Sequence, residues 1–208
     1  MFAAVVPPDP ALDHLGGSLA RLRDRPDAPR WVGRDAQHVT LAFFGEVPEP
    51  QVPALTGALG AALGAPSVHL RLAGAGTFPE RGSPRVLWVG VDGDVDTLAV
   101  LAGAAADAAR SVGVPVDRRP YRPHLTVGRW PASTAPPTGR PLLAALRRYT
   151  GPHFAAGSVV LMRSHHGPRP RYETVAAWGP AAGPRNGTPG GAVGTHRPTS
   201  RQDRSYQA

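Results

Sequence analysis

The sequence predicts an α+β fold with mostly antiparallel strands. Strand patterns follow one another directly in the chain at residues 67–78 and 84–93, which is typical of antiparallel pairs. Single helical patterns separate the other strands, and this mixed order is typical of α+β proteins. With 208 residues and 41% hydrophobic residues, the chain has enough material for one domain or two closely packed lobes.

The first third of the chain alternates strands and helices. FAAVVP at residues 2–7 predicts a short strand, and the amphipathic pattern at 9–24 predicts a helix that begins near an aspartate. HVTLAFFG at 38–45 predicts a strand that ends at a glycine. Residues 48–64 then predict a second helix.

A pair of strands and a long helix occupy the middle of the chain. Residues 67–78 alternate clearly between apolar and other residues, and 84–93 form a second apolar run, so the two segments predict paired strands. Residues 94–113 predict the strongest helix of the chain. They combine an acidic first turn, many alanines and a final glycine.

Four further elements are predicted towards the end of the chain. YRPHLTVGRW at 121–130 reads as a strand, and 138–150 contain a short helix. Residues 154–166 and 171–178 predict a final pair of strands. The order of strands and helices in the two halves indicates an old duplication.

The last residues of the chain differ in composition from the rest. Residues 181–208 are rich in Gly, Pro, Thr, Ser and Arg and almost without apolar side chains, so they cannot bury a core. The sequence predicts one domain over 1–180 and a disordered basic tail over 181–208. Four arginines against Asp203 give this tail a weak attraction for nucleic acid, although a passive tail is favoured.

Composition narrows the classes of function. The chain has no cysteine, which excludes disulfides and thiolate metal sites. The formal net charge of +8 comes with arginine as the only basic residue besides histidine, and it favours anionic partners, nucleic acid among them. The chain start lacks a signal-peptide pattern, and no apolar run reaches the length of a membrane span. We therefore expect a soluble, cytoplasmic, monomeric protein.

Two histidines each precede a threonine by two residues at the start of an apolar strand. The segments are HVTLAFFG, with His38 and Thr40, and HLTVGR, with His124 and Thr126. Residues i and i+2 of a strand point to the same face, so each imidazole stands beside a hydroxyl. No other histidine of the chain has a threonine at this spacing. The repeated pattern indicates a shared site.

Two such pairs across a cleft suit acid–base chemistry on a phosphate. Imidazole has an ordinary pKa of about 6.5, so one neutral histidine can activate water while a protonated one supplies a proton to a leaving oxygen. Threonine hydroxyls can donate hydrogen bonds to phosphate oxygens. The motif contains neither a carboxylate cluster for magnesium nor a ligand set for zinc, so we expect no metal and no cofactor.

Residues 1 to about 180 resemble the two-histidine (2H) phosphoesterase superfamily, in particular bacterial RNA 2′,3′-cyclic phosphodiesterases, also called 2′-5′ RNA ligases. The resemblance rests on HVTLAFFGEV (38–47) and RPHLTVGR (122–129), with RVLWVGV (85–91) between them. RYETVAAW (171–178) matches the closing strand of the family. The resemblance implies a bilobal, pseudo-twofold fold: two mostly antiparallel sheets flank a central cleft, with the helices outside.

The resemblance also implies an activity and roles for residues. It implies hydrolysis of a 2′,3′-cyclic phosphate at RNA ends or on nucleotides to a 2′-phosphomonoester, and members also join RNA ends through a 2′-5′ linkage. His38 and His124 are the implied catalytic residues, with Thr40 and Thr126 as substrate-binding residues. By analogy His38 protonates the leaving 3′ oxygen and His124 activates water. The symmetry of the two motifs leaves this assignment open.

Further substrate contacts are expected near the pairs. Phe43 and Arg129 match positions that lie near the nucleotide in relatives, where Phe43 can stack on a base and Arg129 can contact phosphate. Simple alternation turns both away from the His-Thr face, so a bulge or a strand end is required. Arg163 or Arg169 is a further candidate for holding RNA.

The remaining histidines have simpler interpretations. His14, His69 and His153 stand alone and are interpreted as surface or packing residues. SHHG at 164–167 is interpreted as a loop beside the cleft rather than a metal site, because adjacent strand residues point to opposite faces.

Two other functions stay open at the level of sequence. One is a 2H enzyme for another small cyclic nucleotide, such as a cyclic phosphate of ADP-ribose, which requires a tighter pocket. The other is a non-catalytic RNA-binding module that keeps the fold. Intact His-Thr pairs in both halves argue against the second, because binding alone does not require two proton carriers.

Overall fold

The computed structural model describes residues 1–64, 66–131, 140–165 and 171–179. The strands are β1 (Phe2–Val5), β2 (Arg30–Trp31), β3 (Val39–Phe43), β4 (Val68–Phe78), β5 (Val86–Gly93), β6 (His124–Arg129), β7 (Thr150–Ala156), β8 (Val159–His165) and β9 (Arg171–Trp178). The helices are α1 (Asp9–Ala20), α2 (Val52–Leu63), α3 (Val95–Ser111) and α4 (Arg140–Arg147). The predicted tail over 181–208 lies outside the described residues.

The strands confirm the predicted α+β class. Every strand pairing in the described ranges is antiparallel. The strand order is β7-β4-β5-β6-β3-β1-β8-β9, and the short β2 also pairs with β6. The two sheets expected from the sequence are joined into one curled sheet, because β3 and β6 meet at one residue pair, Val39 with Leu125.

This junction divides the sheet into two equivalent lobes. The first lobe runs outward through β3, β1, β8 and β9, and the second runs outward through β6, β5, β4 and β7. Each His-Thr segment therefore lies on the innermost strand of its own lobe. The arrangement is the bilobal, pseudo-twofold one that the family resemblance implied.

The helices bind the two lobes together. Helix α1 follows β1 of the first lobe but packs on β7 and β4 of the second. Helix α3 follows β5 of the second lobe but packs on β3 of the first, beside α2. Because both of these connections cross to the opposite lobe, α1 and α3 link the two lobes.

The end of the chain differs from the prediction. Residues 154–166 were expected to form one strand, but the structure contains β7 and β8, separated by residues 157–158. Strand β7 pairs with β4 in the second lobe, and β8 pairs with β1 in the first. The chain changes lobes at this break, and a local apolar pattern does not carry that information. The two-residue β2 was also not predicted.

The helices bury regular apolar faces. Helix α2 buries leucines four residues apart, at 55, 59 and 63, and α3 buries Leu98 with Ala102, Ala105 and Ala109. Small side chains on this face allow a helix to approach its neighbours closely. Within the described ranges, no helix has the length and apolar character needed to cross a membrane.

We expect Leu98→Ala to lower the free energy of unfolding by about 2–5 kcal/mol, because its side chain is fully buried. Val100 lies two residues further along α3 and is 70% exposed. Val100→Ala is therefore expected to change the free energy of unfolding by less than about 0.5 kcal/mol. Urea denaturation followed by circular dichroism measures both. Equal losses in the two variants would contradict the packing of α3.

Candidate active site

The two His-Thr pairs meet where the lobes join. Val39 and Leu125, the middle residues of the two motifs, are paired and fully buried. Because the strands run antiparallel, His38 lies on the Thr126 side of this pair and Thr40 lies on the His124 side. All four line one cavity of about 960 Å³. The motifs, 86 residues apart in sequence, thus form one site.

Aromatic rings hold the His38 side chain. His38 directly precedes β3, and its ring stacks on Phe2 of β1 with centroids 4.6 Å apart. Tyr172 of β9 approaches the same ring edge-on at 5.3 Å. Phe2 and Tyr172 also contact each other and line the cavity. Three strands of the first lobe thus fix the orientation of this imidazole.

His124 has a comparable environment in the second lobe. It is the first residue of β6, and Phe78 of β4 approaches its ring edge-on at 5.0 Å. Trp88 of β5 lies 6.1 Å away, between ring centroids. Phe2 of β1 and Trp88 of β5 hold equivalent places in the two lobes, whereas Tyr172 of β9 and Phe78 of β4 do not.

A backbone hydrogen bond fixes the tautomer of His124. Its Nδ1 lies 2.7 Å from the carbonyl oxygen of Arg122. Since a carbonyl only accepts, Nδ1 carries the hydrogen, and Nε2 of the neutral ring carries the lone pair. Nε2 is therefore the nitrogen that can accept a proton in the cleft.

Burial keeps His124 in its neutral form. Loss of solvent lowers the pKa of His124 below its usual value, and the guanidinium groups of Arg122 and Arg129 lower it further. The hydrogen bond to the Arg122 carbonyl opposes this effect and raises the pKa. The net direction is downward, so the ring is neutral and able to act as a base at pH 7.

The side chain of Arg122 is held on the aromatic rings around His124. Its guanidinium lies 4.6 Å from the centroid of Trp88 and 5.6 Å from that of Phe78. Glu80 forms an ion pair with it from the β4–β5 connection. These contacts anchor the residue whose carbonyl orients His124.

A bulge brings Phe43 to the cleft face. Simple alternation from Thr40 would turn Phe43 away. Between β1 and β3, however, the pairing moves from Ala42 directly to Thr40, which leaves Leu41 as an extra residue. Because of this extra residue, Phe43 points to the same face of the sheet as Thr40. It lines the cavity, and 46% of its surface is exposed.

Arg129 reaches the cleft face by the same device in the other lobe. The pairing of β5 with β6 moves from Gly128 to Thr126, which leaves Val127 as the extra residue. Arg129 is exposed and lines the cavity beside Thr126. The sequence required a bulge or a strand end at each position, and the structure has both, because Phe43 ends β3 and Arg129 ends β6.

The cavity contains residues that the sequence did not single out for the site. Tyr172, Ser164 and Arg119 line it, together with Arg163, which was one of two candidate arginines. Arg163 forms an ion pair with Glu49 at 2.7 Å. The match of 171–178 to the closing strand of the family was the one signal that pointed towards Tyr172. Arg169, the other candidate, lies outside the described residues.

The other described histidines lie away from the cavity. His14 contacts the Tyr149 hydroxyl at 3.1 Å, and His165 contacts Glu173 at 2.8 Å. His69 and His153 are exposed. Residues 164 and 165 of SHHG belong to β8 rather than to a loop, and 166–167 lie outside the described residues. The described residues contain no cluster of three side chains suited to a metal ion.

The fold and the facing His-Thr pairs define a bilobal two-histidine protein. A family model described as the 2′-5′ RNA ligase superfamily matches residues 7–168. This chain belongs to that superfamily.

Curated relatives match much of the chain. An RNA 2′,3′-cyclic phosphodiesterase of Geobacillus stearothermophilus is 38% identical over 169 residues, which cover 79% of this chain and 51% of that protein. A protein of the same name from Escherichia coli K12 is 32% identical over 157 residues, which cover 74% and 81%. This chain thus spans about half the length of the Geobacillus relative.

Solved structures share the whole architecture. Escherichia coli LigT complexed with 3′-AMP has a TM-score of 0.68 at 28% identity, covering 86% of this chain and 95% of that one. A protein of Thermus thermophilus has a TM-score of 0.66 at 26% identity, covering 86% and 96%. The likeness extends over both lobes.

We expect Arg122→Gln to raise the pKa of His124. The substitution removes a positive charge that disfavours the imidazolium, while the backbone carbonyl stays in place. Titration of the His124 ring signals by NMR measures the change. The control is Arg148→Gln, because Arg148 is exposed and does not line the cavity. This substitution should leave the pKa of His124 unchanged. An unchanged or lower pKa in Arg122→Gln would contradict the electrostatic account.

Proposed function

We propose that this chain hydrolyses a 2′,3′-cyclic phosphate, at an RNA end or on a nucleotide, to a 2′-phosphomonoester. The observation that carries the proposal is the pairing of Val39 with Leu125, which gathers two imidazoles and two hydroxyls around one cavity. The names of the Geobacillus and Escherichia coli relatives support the same reaction. All the proposed groups come from one chain, so the mechanism requires no residue from a second subunit.

The threonines bind the phosphate in this mechanism. Thr40 and Thr126 stand on opposite sides of the paired residues, so their hydroxyls can donate to the two non-bridging oxygens of a phosphate between them. Such donors stabilise the charge that builds up on these oxygens in the transition state. Arg129 adds a positive charge at the same wall of the cavity.

The histidines move the protons. His124 accepts a proton from water through Nε2, and the water oxygen forms a bond to phosphorus. The bond from phosphorus to O3′ breaks, and protonated His38 donates its proton to the leaving O3′. The products are a 2′-phosphomonoester and a free 3′-hydroxyl, and proton exchange with solvent restores both rings. Acid–base steps of this kind contribute about 10²–10⁴-fold to the rate.

The surroundings of His124 support its role as the base. Burial lowers the pKa of His124, so the ring is unprotonated and ready to accept at neutral pH. As the proton arrives, the Nδ1–H bond to the Arg122 carbonyl stabilises the imidazolium. In 2′-5′ ligation, for which the superfamily is described, a 5′-hydroxyl takes the place of water and O3′ again leaves, so the two histidines keep these roles. They exchange roles only when a 2′-5′ linkage is cleaved back to the cyclic phosphate.

Phe43 supplies a surface for the base of the nucleotide. It is the aromatic residue of the cavity with a large exposed face, and it lies three residues beyond Thr40. Stacking on an aromatic ring is worth about 1–3 kcal/mol per base and tolerates any base. The proposal therefore assigns Phe43 to affinity rather than to sequence preference.

His38→Ala and His124→Ala are each expected to lower kcat by about 10²–10⁴-fold. The assay uses an RNA oligonucleotide ending in a 2′,3′-cyclic phosphate, with EDTA present, and identifies the terminal phosphate of the product by ³¹P NMR. His153→Ala, at an exposed position of β7, should retain full activity. A 3′-phosphate product, loss of activity in EDTA, or full activity in either cleft variant would overturn the mechanism.

Phe43→Ala is expected to raise KM by about 5- to 150-fold with little change in kcat, because stacking is lost while the catalytic groups stay in place. Steady-state kinetics on the same cyclic substrate measures both constants. Phe43→Tyr retains the ring and should restore KM. A fall in kcat with KM unchanged would place Phe43 outside the binding surface.

A further inference from the structure

A second cavity of about 860 Å³ adjoins the first at the catalytic pairs. The two share Thr40, Thr126, Phe43, His124 and Arg129 in their linings. From there the second cavity extends beneath residues 116–122 to one face of α3. A ligand that reaches the histidines can therefore continue into this space.

The wall formed by residues 116–122 is anchored to the sheet. The amide of Asp117 donates to the carbonyl of Phe43 at 3.3 Å. The carboxylate of Asp117 accepts from the amide of Arg119 at 3.0 Å and forms an ion pair with its guanidinium. Pro120 further restricts the backbone. One backbone hydrogen bond thus ties this wall to the end of β3, and the Asp117–Arg119 contacts order the wall itself.

The lining carries a strong excess of positive charge. Its charged members are five arginines and one aspartate. Arg110 pairs with Asp107, and Arg119 and Arg122 have the acidic partners already described. Arg118 is exposed, and among the described residues no ion pair involves it. Its guanidinium is therefore available to an anion, and a phosphodiester matches its geometry.

The rest of the lining suits the neutral parts of a nucleotide. The α3 wall presents Ala99, Ala102 and Ala106, and Phe78 closes the apolar side. The hydroxyl of Tyr121 is buried and has no hydrogen-bond partner among the described residues. Loss of solvent raises the pKa of Tyr121, so the hydroxyl keeps its proton and can donate at neutral pH. A volume of this size is typical of small-ligand pockets.

We propose that the second cavity binds the nucleotide next to the one that carries the cyclic phosphate, with Arg118 contacting the phosphodiester that links the two. This inference rests on the proposed function and specifies its substrate: an RNA strand rather than a free cyclic mononucleotide. The apolar wall receives the base, and the Tyr121 hydroxyl donates to ribose or base.

The test compares two substrates that differ by one nucleotide. One is a 2′,3′-cyclic mononucleotide and the other is a dinucleotide that ends in a 2′,3′-cyclic phosphate. We expect the wild-type protein to prefer the dinucleotide in kcat/KM. In Arg118→Gln the ratio of the two kcat/KM values should fall about tenfold, because one charged contact to the linking phosphodiester is lost. The dependence of log kcat/KM on log salt for the dinucleotide should flatten by about 0.7.

A matched control separates this contact from general charge. Arg148→Gln removes the same charge from an exposed position that lines neither cavity, so its substrate ratio should equal that of the wild type. Tyr121→Phe keeps the packing and should lower the ratio by a smaller factor. Equal use of both substrates by the wild type, or an equal fall in Arg118→Gln and Arg148→Gln, overturns the second site while leaving the proposed function intact. Turnover of neither substrate overturns both.

Discussion

The pairing of Val39 with Leu125 determines where the His-Thr side chains and the cleft of this molecule lie. Each is the middle residue of a His-x-Thr segment, so burying both on one face of the sheet turns the four polar side chains to the other face. Strands β3 and β6 pair only at this position in the described sheet, and they diverge on either side of it. The adjoining cavities open along this divergence. A longer ladder between the same strands would close the cleft.

Two bulges complete the site with the same symmetry. One extra residue in β3 and one in β6 restore the phase of each strand, so Phe43 and Arg129 join the His-Thr face. The two symmetric positions differ in chemistry, because the first lobe contributes the aromatic ring of Phe43 and the second contributes the positive charge of Arg129. Two lobes of similar strand order thus present different side chains to the same cleft.

The two histidines are equivalent in sequence but not in surroundings. His124 is oriented by the carbonyl of Arg122, and the guanidinium of that residue rests on the neighbouring rings and on Glu80. His38 is held instead by Phe2 and Tyr172, from the first and last strands of the described residues. This asymmetry supports different roles for two imidazoles that the motifs alone cannot distinguish. The arginine-rich wall of the second cavity also lies beside His124. The asymmetry between the lobes therefore includes the surface on which we propose that the RNA substrate binds.

The sequence by itself determined the α+β class, most element positions and the two His-Thr pairs, because these depend on local periodicity and on residue spacing along one strand. It also indicated that Phe43 and Arg129 needed either a bulge or a position at a strand end. Only the tertiary structure decided the single sheet, the division of 154–166 between two lobes, and the neighbours of each imidazole. Those features depend on contacts between residues far apart in sequence. Tyr172 reaches His38 from a distant strand, and the carbonyl of Arg122 becomes an acceptor for His124 only once the turn before β6 has formed.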